Sequence, residues 1–257
     1  MAKRGEEELL ILMRRPTVQF LKFAVRSVGL EKPARSAWGA LRARGWTSWD
    51  PLVPESAFEE CVHQSLEILR GKSEDSTLGD YLEFGVSRGT SLAAAYRALQ
   101  RAGASHVRLI GFDSFEGLPP EAADEDWEPG QFRSSLEATH RYLKRKGVDL
   151  GRVVLVRGWF KDTLHEETRR RHAIQKASLV MIDCDIYSAS KDALAFSSEQ
   201  IEDDAVFFFD DWGSAESQGM IGQKEAFSEF LTEHPEFSAT PLPSYTENAR
   251  VFHVSRR

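Results

Sequence analysis

A chain of 257 residues in which 41% are hydrophobic can bury one substantial core, so we expect a single α/β domain plus an extension. The formal charge of −7 is uneven, because residues 1–50 hold ten Lys/Arg against five Asp/Glu while the rest of the chain is acidic. An acidic main domain argues against a nucleic-acid substrate, which needs a basic groove, and favours a small acceptor that is neutral or chelates metal.

The N-terminal 50 residues contain short helical patterns, then a basic stretch with Trp38, Trp46 and Trp49. Basic residues among apolar ones can mark a membrane-surface helix, but a lid or a dimer-forming helix is the favoured interpretation, and a homo-oligomer is plausible. No run approaches the ~18 apolar residues of a transmembrane segment. Charged residues also interrupt any signal peptide, so the expected location is cytoplasmic.

The next predicted element is a helix over residues 56–71, which follows Pro51 and Pro54 and shows helical spacing of its apolar residues. We expect it to pack just before the sheet begins. The predicted division of the chain is a helical extension or lid at residues 1–78 and the main domain at residues 79–257. Cys61 in this helix and Cys184 at a later strand end are expected to be reduced core thiols.

From Asp80 onward, strands and helices alternate in the order that builds a doubly wound parallel sheet. The predicted strands are Tyr81–Gly85, Val107–Phe112, Val153–Val156, Leu179–Ile182 and Ala205–Phe209. The predicted helices that accompany them are Ser91–Ala102, Leu136–Lys146, Tyr187–Glu199 and Gln223–His234. Finally, Phe237–Leu242 and Arg250–Val254 predict a terminal hairpin that adds one antiparallel strand.

The first predicted strand is joined to the predicted helix Ser91–Ala102 by a turn that holds Gly85 and Gly89. Glycines there allow the backbone to approach a ligand closely, and the helix N-terminus offers unpaired N–H groups. A plain tight turn explains the two glycines about as well. The G-x-G-x-x-G motif of dinucleotide-binding enzymes is incomplete, because Ser87 stands where its second glycine would be.

Two acidic side chains strengthen the case for a cofactor at this turn. Asp113 follows the second strand, roughly 20 residues on, where a ribose-binding carboxylate is expected. Glu83, inside the first strand, is placed to contact the polar tail of a cofactor across the glycine turn. The alternative for Glu83 is neutralisation by Arg88.

Two acidic pairs follow the fourth and fifth predicted strands: Asp183 with Asp185, and Asp210 with Asp211. Both strands are continuous apolar runs, typical of a buried parallel sheet, so their carboxyl ends meet at one edge. Four carboxylates there make a plausible site for a hard divalent cation. Helix capping is the alternative, and it explains one aspartate of each pair but not why both pairs share an edge.

Five motifs in this order resemble the macrocin O-methyltransferase family, whose members methylate sugar hydroxyls in antibiotic biosynthesis: EFGVSRGTSL, FDSFEGLP, VRGWFKDTL, MIDCDIYSAS and FFFDDWG. The resemblance runs from about Asp80 into the helix that begins at Gln223. It implies a class I S-adenosylmethionine-dependent methyltransferase fold. This α/β, Rossmann-like fold has a seven-stranded, mostly parallel sheet with a terminal antiparallel hairpin, here with an N-terminal helical extension.

The resemblance also implies where S-adenosylmethionine binds. Its methionine part is expected beside Glu83, Gly85, Ser87 and Gly89. Its ribose is expected beside Asp113 and Ser114, and its adenine beside Gly158 and Trp159. Without the resemblance, Trp159 and Phe160 are typical of core aromatics.

Methylation of an alcohol needs a better nucleophile than a neutral hydroxyl, and a bound Mg²⁺ supplies one by lowering the pKa of a coordinated oxygen. Asp183, Asp210 and Asp211 match the metal ligands of the family, and a few carboxylates suit Mg²⁺. The general base is expected to be Asp183 or Asp185. His140 is a further candidate, because the family uses a histidine in that region, but here it falls in an amphipathic helix after a shortened loop, where a surface or core role is favoured.

The acceptor is expected over the metal, between the N-terminal segment and the loop Asp124–Phe132. Trp127 and Phe132 suit either stacking on a sugar or polyketide or contact with a neighbouring subunit, and Trp212 suits the pocket wall. The favoured function is a Mg²⁺-dependent O-methyltransferase acting on a small natural-product hydroxyl, on a sugar moiety by the resemblance. Alternatives are a catechol-type acceptor and a non-catalytic S-adenosylmethionine-binding module, while a dehydrogenase would need the full glycine motif.

Overall fold

The computed structural model describes residues 53–71, 78–213 and 219–257, together with residues 41, 43 and 44. The chain divides into two compact units, residues 1–49 and 50–257, and all the elements below belong to the second. The predicted N-terminal helices, and the three tryptophans of the basic stretch that follows them, lie outside the described residues. Within the described part of the chain, no helix has the length and apolar character needed to cross a bilayer.

Seven strands form one sheet within the described residues. They are β1 (Asp80–Phe84), β2 (Leu109–Asp113), β3 (Val153–Arg157), β4 (Ala177–Ile182), β5 (Asp204–Phe209), β6 (Phe237–Leu242) and β7 (Arg250–Arg256). Their order across the sheet is β3-β2-β1-β4-β5-β7-β6, and β7 runs antiparallel to both of its neighbours. The predicted mostly parallel sheet with a terminal antiparallel hairpin is confirmed.

Helices cover both faces of the sheet. On one face lie α1 (Glu55–Arg70), α2 (Thr90–Arg101) and α3 (Leu136–Arg145). On the other lie α4 (Phe160–Thr163), α5 (Glu166–His172), α6 (Tyr187–Ser198) and α7 (Gln223–Glu233). Successive strand residues point to opposite faces, so each strand contributes to both apolar layers. This is why β4 and β5 are continuous apolar runs in the sequence.

Helix α1 packs within the unit that carries the sheet. Phe58 meets Phe208 of β5 edge-on, with ring centroids 5.4 Å apart, and Arg97 of α2 forms ion pairs with Glu55 and Glu59 at 3.1 and 2.7 Å. The sequence-based division had assigned this helix to the extension at residues 1–78. The structure packs it on one face of the sheet, where its apolar side covers part of β5.

Two helices between β3 and β4, α4 and α5, are absent from the sequence-based prediction. The second of them has no apolar stripe, because three consecutive arginines occupy its centre. Charge pairs support it instead: Arg171 contacts Glu167 at 2.7 Å, and the Arg169 guanidinium lies 5.2 Å from the centre of the Phe196 ring. Pairing of this kind leaves no hydrophobic periodicity to detect.

The two cysteines are buried and unpaired, as predicted. Burial raises the pKa of the Cys61 thiol to about 12 and that of the Cys184 thiol well above its usual value. Because the thiolate is the reactive form, both side chains act as packing groups.

Candidate active site

The carboxyl ends of four neighbouring strands form one row. The last residues in register across β2, β1, β4 and β5 are Phe112, Phe84, Ile182 and Phe209. The residues that follow them, in the same order, are Asp113, Gly85, Asp183 and Asp210. Strand register therefore brings the predicted cofactor turn and the predicted metal ligands to one edge.

Gly85 lets the ends of β1 and β4 approach each other. Its φ is +91°, and a Cβ added there would lie 1.8 Å from the carbonyl oxygen of Asp183. Gly89 has a φ of +86° and is the N-cap residue of α2, and its added Cβ would meet Leu143 Cδ2 at 2.9 Å. The local geometry thus requires both glycines, whatever ligand the turn holds.

The Asp113 carboxylate organises the turn between β1 and α2. Its Oδ2 accepts hydrogen bonds from the backbone N–H groups of Val86 and Ser87 at 2.8 and 2.7 Å, and its Oδ1 accepts one from Phe115 at 2.6 Å. Burial raises the pKa of Asp113, and these three bonds oppose the rise. Because a carboxylate has about four acceptor positions, capacity for a ribose hydroxyl remains on Oδ1.

The two predicted cofactor-binding serines hold loops around this turn. Ser87 has a φ of +45°, and its hydroxyl donates to the carbonyl of Phe132 at 3.1 Å. The Ser114 hydroxyl donates to the carbonyl of Gly117 and accepts from the N–H of Glu116, each at 3.0 Å. Their predicted contacts to a cofactor stay predictions, and their loop-closing role comes from the structure.

Glu83 is completely buried in β1. The Tyr81 hydroxyl donates to its Oε2, and the Ser91 hydroxyl donates to its Oε1 at 2.8 Å. Burial raises the pKa of Glu83 to about 8, although the two hydroxyl donors oppose the rise. Arg88, the alternative partner expected from sequence, donates from Nε to Ser134 at 3.0 Å. A buried acid beside the glycine turn suits a cationic ligand group, because a nearby positive charge restores the ionised form.

The end of β3 completes the row on its other side. The N–H of Gly158 donates to the carbonyl of Asp113 at 3.0 Å, and a Cβ added at Gly158 would lie 2.7 Å from Thr163. Trp159 is half-buried, whereas Phe160 packs edge-on against Phe84 with ring centroids 5.9 Å apart. Of the two aromatics, Phe160 belongs to the core and Trp159 stands at its margin.

The structure brings together the three side chains predicted as metal ligands. Asp183, Asp210 and Asp211 each offer a carboxylate oxygen, and these oxygens all lie within 4.8 Å of one another. Burial and then the charges of the other two raise the pKa of Asp183 well above its usual range. Burial, followed by the charges of Asp185 and Asp210, raises the pKa of Asp211 in the same way. Three mutually repelling oxygen donors fit a hard divalent cation such as Mg²⁺, which would remove the repulsion.

Gln223, at the start of α7, anchors Asp211 and was missed by the sequence analysis. Its Oε1 accepts the N–H of Asp211 at 3.0 Å, while its Nε2 donates to the carbonyl of Ile182 at 3.1 Å and contacts Asp211 Oδ2 at 3.4 Å. Gln223 is fully buried. No motif in the sequence distinguishes this glutamine from others, because its role depends on where α7 packs.

Asp185 does not join the three-carboxylate group. Its φ of +63° is left-handed, and its backbone N–H donates to Asp211 Oδ2 at 3.0 Å. Burial and then the charge of Asp210 raise the pKa of its carboxyl to about 7. Helix capping, the alternative role expected for Asp185, is wrong. The cap of α6 is the Glu125 carboxylate, which accepts the N–H of Tyr187 at 2.6 Å and that of the next residue at 3.1 Å.

His140 lies exposed on α3. The buried part of that helix packs against the glycine turn, where Thr139 donates its hydroxyl to the carbonyl of Ser87 and Leu143 lies beside Gly89. Among the described residues, no contact connects His140 with the aspartates. The geometry therefore gives no support to the predicted role of His140 as a base.

The aromatic residues predicted for the acceptor pocket also have structural roles. Trp127 is buried in a small apolar cluster with Phe132, whose ring centroid is 6.2 Å away, and with Ile186. Trp212 packs on Phe252 with ring centroids 5.1 Å apart. The loop Asp124–Phe132 is therefore attached to the segment that follows Asp185, and stacking of its aromatics on an acceptor stays a prediction.

Comparison with known proteins identifies a family for this chain. The macrocin-O-methyltransferase (TylF) family matches residues 56–234 of the chain. A relative from Streptomyces olivaceus, 8-demethyl-8-(2,3-dimethoxy-alpha-L-rhamnosyl)-tetracenomycin-C 4'-O-methyltransferase, is 29% identical over 147 residues, which are 54% of each chain. Mycinamicin III 3''-O-methyltransferase from Micromonospora griseorubida is 26% identical over 166 residues, 60% of each chain. The chain thus matches little more than half the length of these curated relatives.

Among solved structures, the O-methyltransferase NovP has a TM-score of 0.61 at 20% identity, over 78% of this chain and 79% of that one. An identity this low shows the fold alone. The class I, Rossmann-like methyltransferase fold expected from the five motifs is confirmed.

Proposed function

Because the chain belongs to the macrocin-O-methyltransferase family, we propose that it is a Mg²⁺-dependent O-methyltransferase that uses S-adenosylmethionine. The proposed acceptor is a hydroxyl of a small natural product, on a sugar moiety, since the substrate named for one curated relative carries a rhamnosyl group. The observation that carries the proposal is the convergence of Asp183, Asp210 and Asp211 within 4.8 Å on the strand row that also holds the glycine turn.

The reaction is an in-line displacement at the methyl carbon. The acceptor oxygen forms a bond to that carbon while the carbon–sulfur bond breaks. The bonding electron pair stays on sulfur, which leaves as S-adenosylhomocysteine, and the hydroxyl proton passes to a base. Mg²⁺ bound by the three aspartates would lower the pKa of a coordinated hydroxyl and hold the acceptor in position.

Asp185 is the proposed base. Its carboxyl lies outside the three-donor group, so it could accept the hydroxyl proton while the other three aspartates hold the ion. Its N–H bond to Asp211 keeps it beside the metal ligands. Asp183 is the weaker candidate, because its oxygens belong to the donor group.

S-adenosylmethionine is proposed to lie along the same row, from the glycine turn towards Gly158. In this proposal Glu83 binds the amine of the cofactor, and Asp113 Oδ1, which has accepting capacity left, binds a ribose hydroxyl. The half-buried Trp159 borders the adenine end.

Calorimetric titration of S-adenosylmethionine and S-adenosylhomocysteine into the purified chain, with Mg²⁺ and with chelator, tests this function. We expect saturable binding of both, and no binding under any condition would refute the methyltransferase proposal. A screen of glycosides and catechols, read by product mass, then tests the acceptor. Methylation of catechols alone would reassign the acceptor class, since a vicinal diol can chelate the same metal.

Asp210→Asn should lower turnover by at least about 100-fold, because loss of a metal ligand removes several kcal/mol of transition-state stabilisation. Affinity for S-adenosylhomocysteine, measured by calorimetry, should stay nearly unchanged. Asp203→Asn is the control, since that aspartate is exposed just before the opposite end of β5. An equal loss of cofactor affinity in Asp210→Asn would place Asp210 in the cofactor site or in folding.

A further inference from the structure

We propose that Tyr245, in the loop between β6 and β7, is a positioning residue that orients Asp210 towards the metal. This inference rests on the Mg²⁺ site of the proposed function. Tyr245 lies outside residues 56–234, the part of the chain that matches the family. The terminal hairpin, which lies beyond the part of the chain that matches the family, would then support the metal site as well as complete the sheet.

The contact itself is a hydrogen bond from the Tyr245 hydroxyl to Asp210 Oδ1 at 2.8 Å. The side chain of Tyr245 is buried, with 8% of the residue exposed, so water competes little for this bond. A donor on one oxygen restricts rotation of the carboxylate and so sets the direction of its remaining lone pairs. Outer partners of this kind orient carboxylate ligands in metal sites.

Packing against α1 holds the tyrosine ring in place. The ring of Tyr245 meets that of Phe58 edge-on with centroids 4.9 Å apart, and Phe58 in turn packs on Phe208 of β5. One turn further along α1, the Cys61 thiol contacts the carbonyl of Pro243 at 3.6 Å. The strand that presents Asp210 and the loop that presents Tyr245 are thus joined through the same helix.

The loop is also attached beyond the aspartate pair. The N–H of Gly213 donates to the carbonyl of Asn248 at 3.0 Å, and within the loop the N–H of Ala249 donates to the Thr246 hydroxyl at 3.0 Å. The loop therefore contacts the chain after β5 on either side of Asp211, through Tyr245 at Asp210 and through Asn248 at Gly213. A loop that only reverses the chain direction needs neither contact.

A neutral donor has a specific use at this position. Asp210 stands close to Asp183 and Asp211, and three unneutralised carboxylates tend to turn away from one another. A hydroxyl fixed by ring packing opposes that rotation, and it adds no positive charge that would compete with a cation. Phenylalanine would fill nearly the same volume but could not donate the hydrogen bond.

The test is Mn²⁺ binding, followed by the EPR signal of the free ion, with Mn²⁺ in place of Mg²⁺ because both prefer octahedral oxygen ligands. Tyr245→Phe should bind Mn²⁺ about 10- to 100-fold more weakly than the wild type. Tyr142→Phe is the matched control, because Tyr142 is 7% exposed and its hydroxyl also donates to a carboxylate, Glu55, at 2.7 Å. Affinity for S-adenosylhomocysteine should not change in either variant.

Each other outcome has one meaning. Equal Mn²⁺ affinity in Tyr245→Phe and the wild type would overturn the role of Tyr245 and leave the metal site intact. Equal weakening in both tyrosine variants would overturn it as well, since any buried hydroxyl would then have the same effect. Failure of the wild type to bind Mn²⁺ would remove the metal site itself, and this inference with it.

A second measurement applies if Tyr245→Phe does not fold. The otherwise unchanged chain would carry 3-fluorotyrosine at position 245, or at position 142 as the control. Addition of Mg²⁺ should shift the ¹⁹F resonance at position 245 and leave that at position 142 in place. A resonance at position 245 that does not respond to a saturating ion would overturn the inference.

Discussion

Asp183 and Asp185 are two residues apart, and their backbone conformations separate their roles. Asp183 continues the line of β4, with its N–H bonded to the carbonyl of Phe84 at 2.9 Å, and so its side chain joins the row at the sheet edge. Asp185 adopts a φ of +63°, in the left-handed region that aspartate and asparagine enter more readily than other L-residues. That conformation turns its N–H towards Asp211 and leaves its carboxyl outside the donor group.

Asp185→Asn should lower kcat by about 10²–10⁴-fold, the usual contribution of a general base. Asparagine has nearly the same shape and tolerates the left-handed conformation, so the fold and the affinities for S-adenosylhomocysteine and Mn²⁺ should be kept. His140→Ala, which changes the other predicted base, should keep the wild-type kcat, because that residue is exposed on α3. The reverse pattern in steady-state kinetics would exchange the two assignments.

At the scale of elements, the site depends on how closely the turn after β1 approaches the end of β4. The approach is possible because Gly85 has no side chain where the Asp183 carbonyl stands. Similarly, Glu125 connects the acceptor loop to α6 by accepting two N–H groups at the start of that helix. The glycine turn, the loop Asp124–Phe132 and the three proposed metal ligands are therefore held by contacts between elements.

Gly85→Ala should reduce the free energy of unfolding by about 2–5 kcal/mol, from the positive φ and from the clash with the Asp183 carbonyl. Gly103→Ala separates the two causes, because Gly103 has a φ of +67° but nothing within 4 Å of an added Cβ. Gly103→Ala should reduce the free energy of unfolding by only about 1–2 kcal/mol. Urea unfolding of both variants measures the difference, and equal costs would show that the clash is relieved by backbone movement.

At the scale of the whole molecule, the buried acids make stability depend on pH. The pKa is raised to about 8 for Glu83 and to about 7 for Asp185, and it is raised well above its usual range for Asp183 and Asp211. In the unfolded chain such groups titrate near pH ~4. The folded state therefore retains protons that the unfolded state releases, so stability is greatest below the unfolded pKa and falls as pH rises through the folded values.

The melting temperature in chelator should thus fall as pH rises from ~5 to ~8, since acids with raised pKa values lose their protons in that range. Saturating Mg²⁺ should raise the melting temperature most at the upper end, because an ion that binds the folded state opposes the repulsion of its ligands. Thermal scans across this range, with Asp210→Asn as the control, measure the effect. The metal site would be contradicted if Mg²⁺ raised the melting temperature by the same amount at every pH, or by the same amount in Asp210→Asn as in the wild type.

Local signals in the sequence were enough to predict the type of the strands, their succession along the chain and the edge of the sheet at which the candidate site lies. Hydrophobic runs and turn residues are local signals, and β6 was predicted with the bounds that it has, Phe237–Leu242. Asp183 and Asp210 were placed together because parallel strands that are neighbours end at the same edge. Where charge pairs replaced an apolar stripe, as in α5, the local signal was absent and the helix was missed.

The side chains that support the candidate site could be identified only from the packing of distant parts of the chain. Gln223 and its partner Asp211 are 12 residues apart in the sequence, and Tyr245 and Asp210 are 35 residues apart. Glu125 caps α6 at Tyr187, which lies 62 residues further along the chain. Such contacts depend on strand register, on loop closure and on the angle at which each helix packs. None of these leaves a pattern in the residues themselves, because a buried glutamine or tyrosine looks the same in sequence wherever its partner lies.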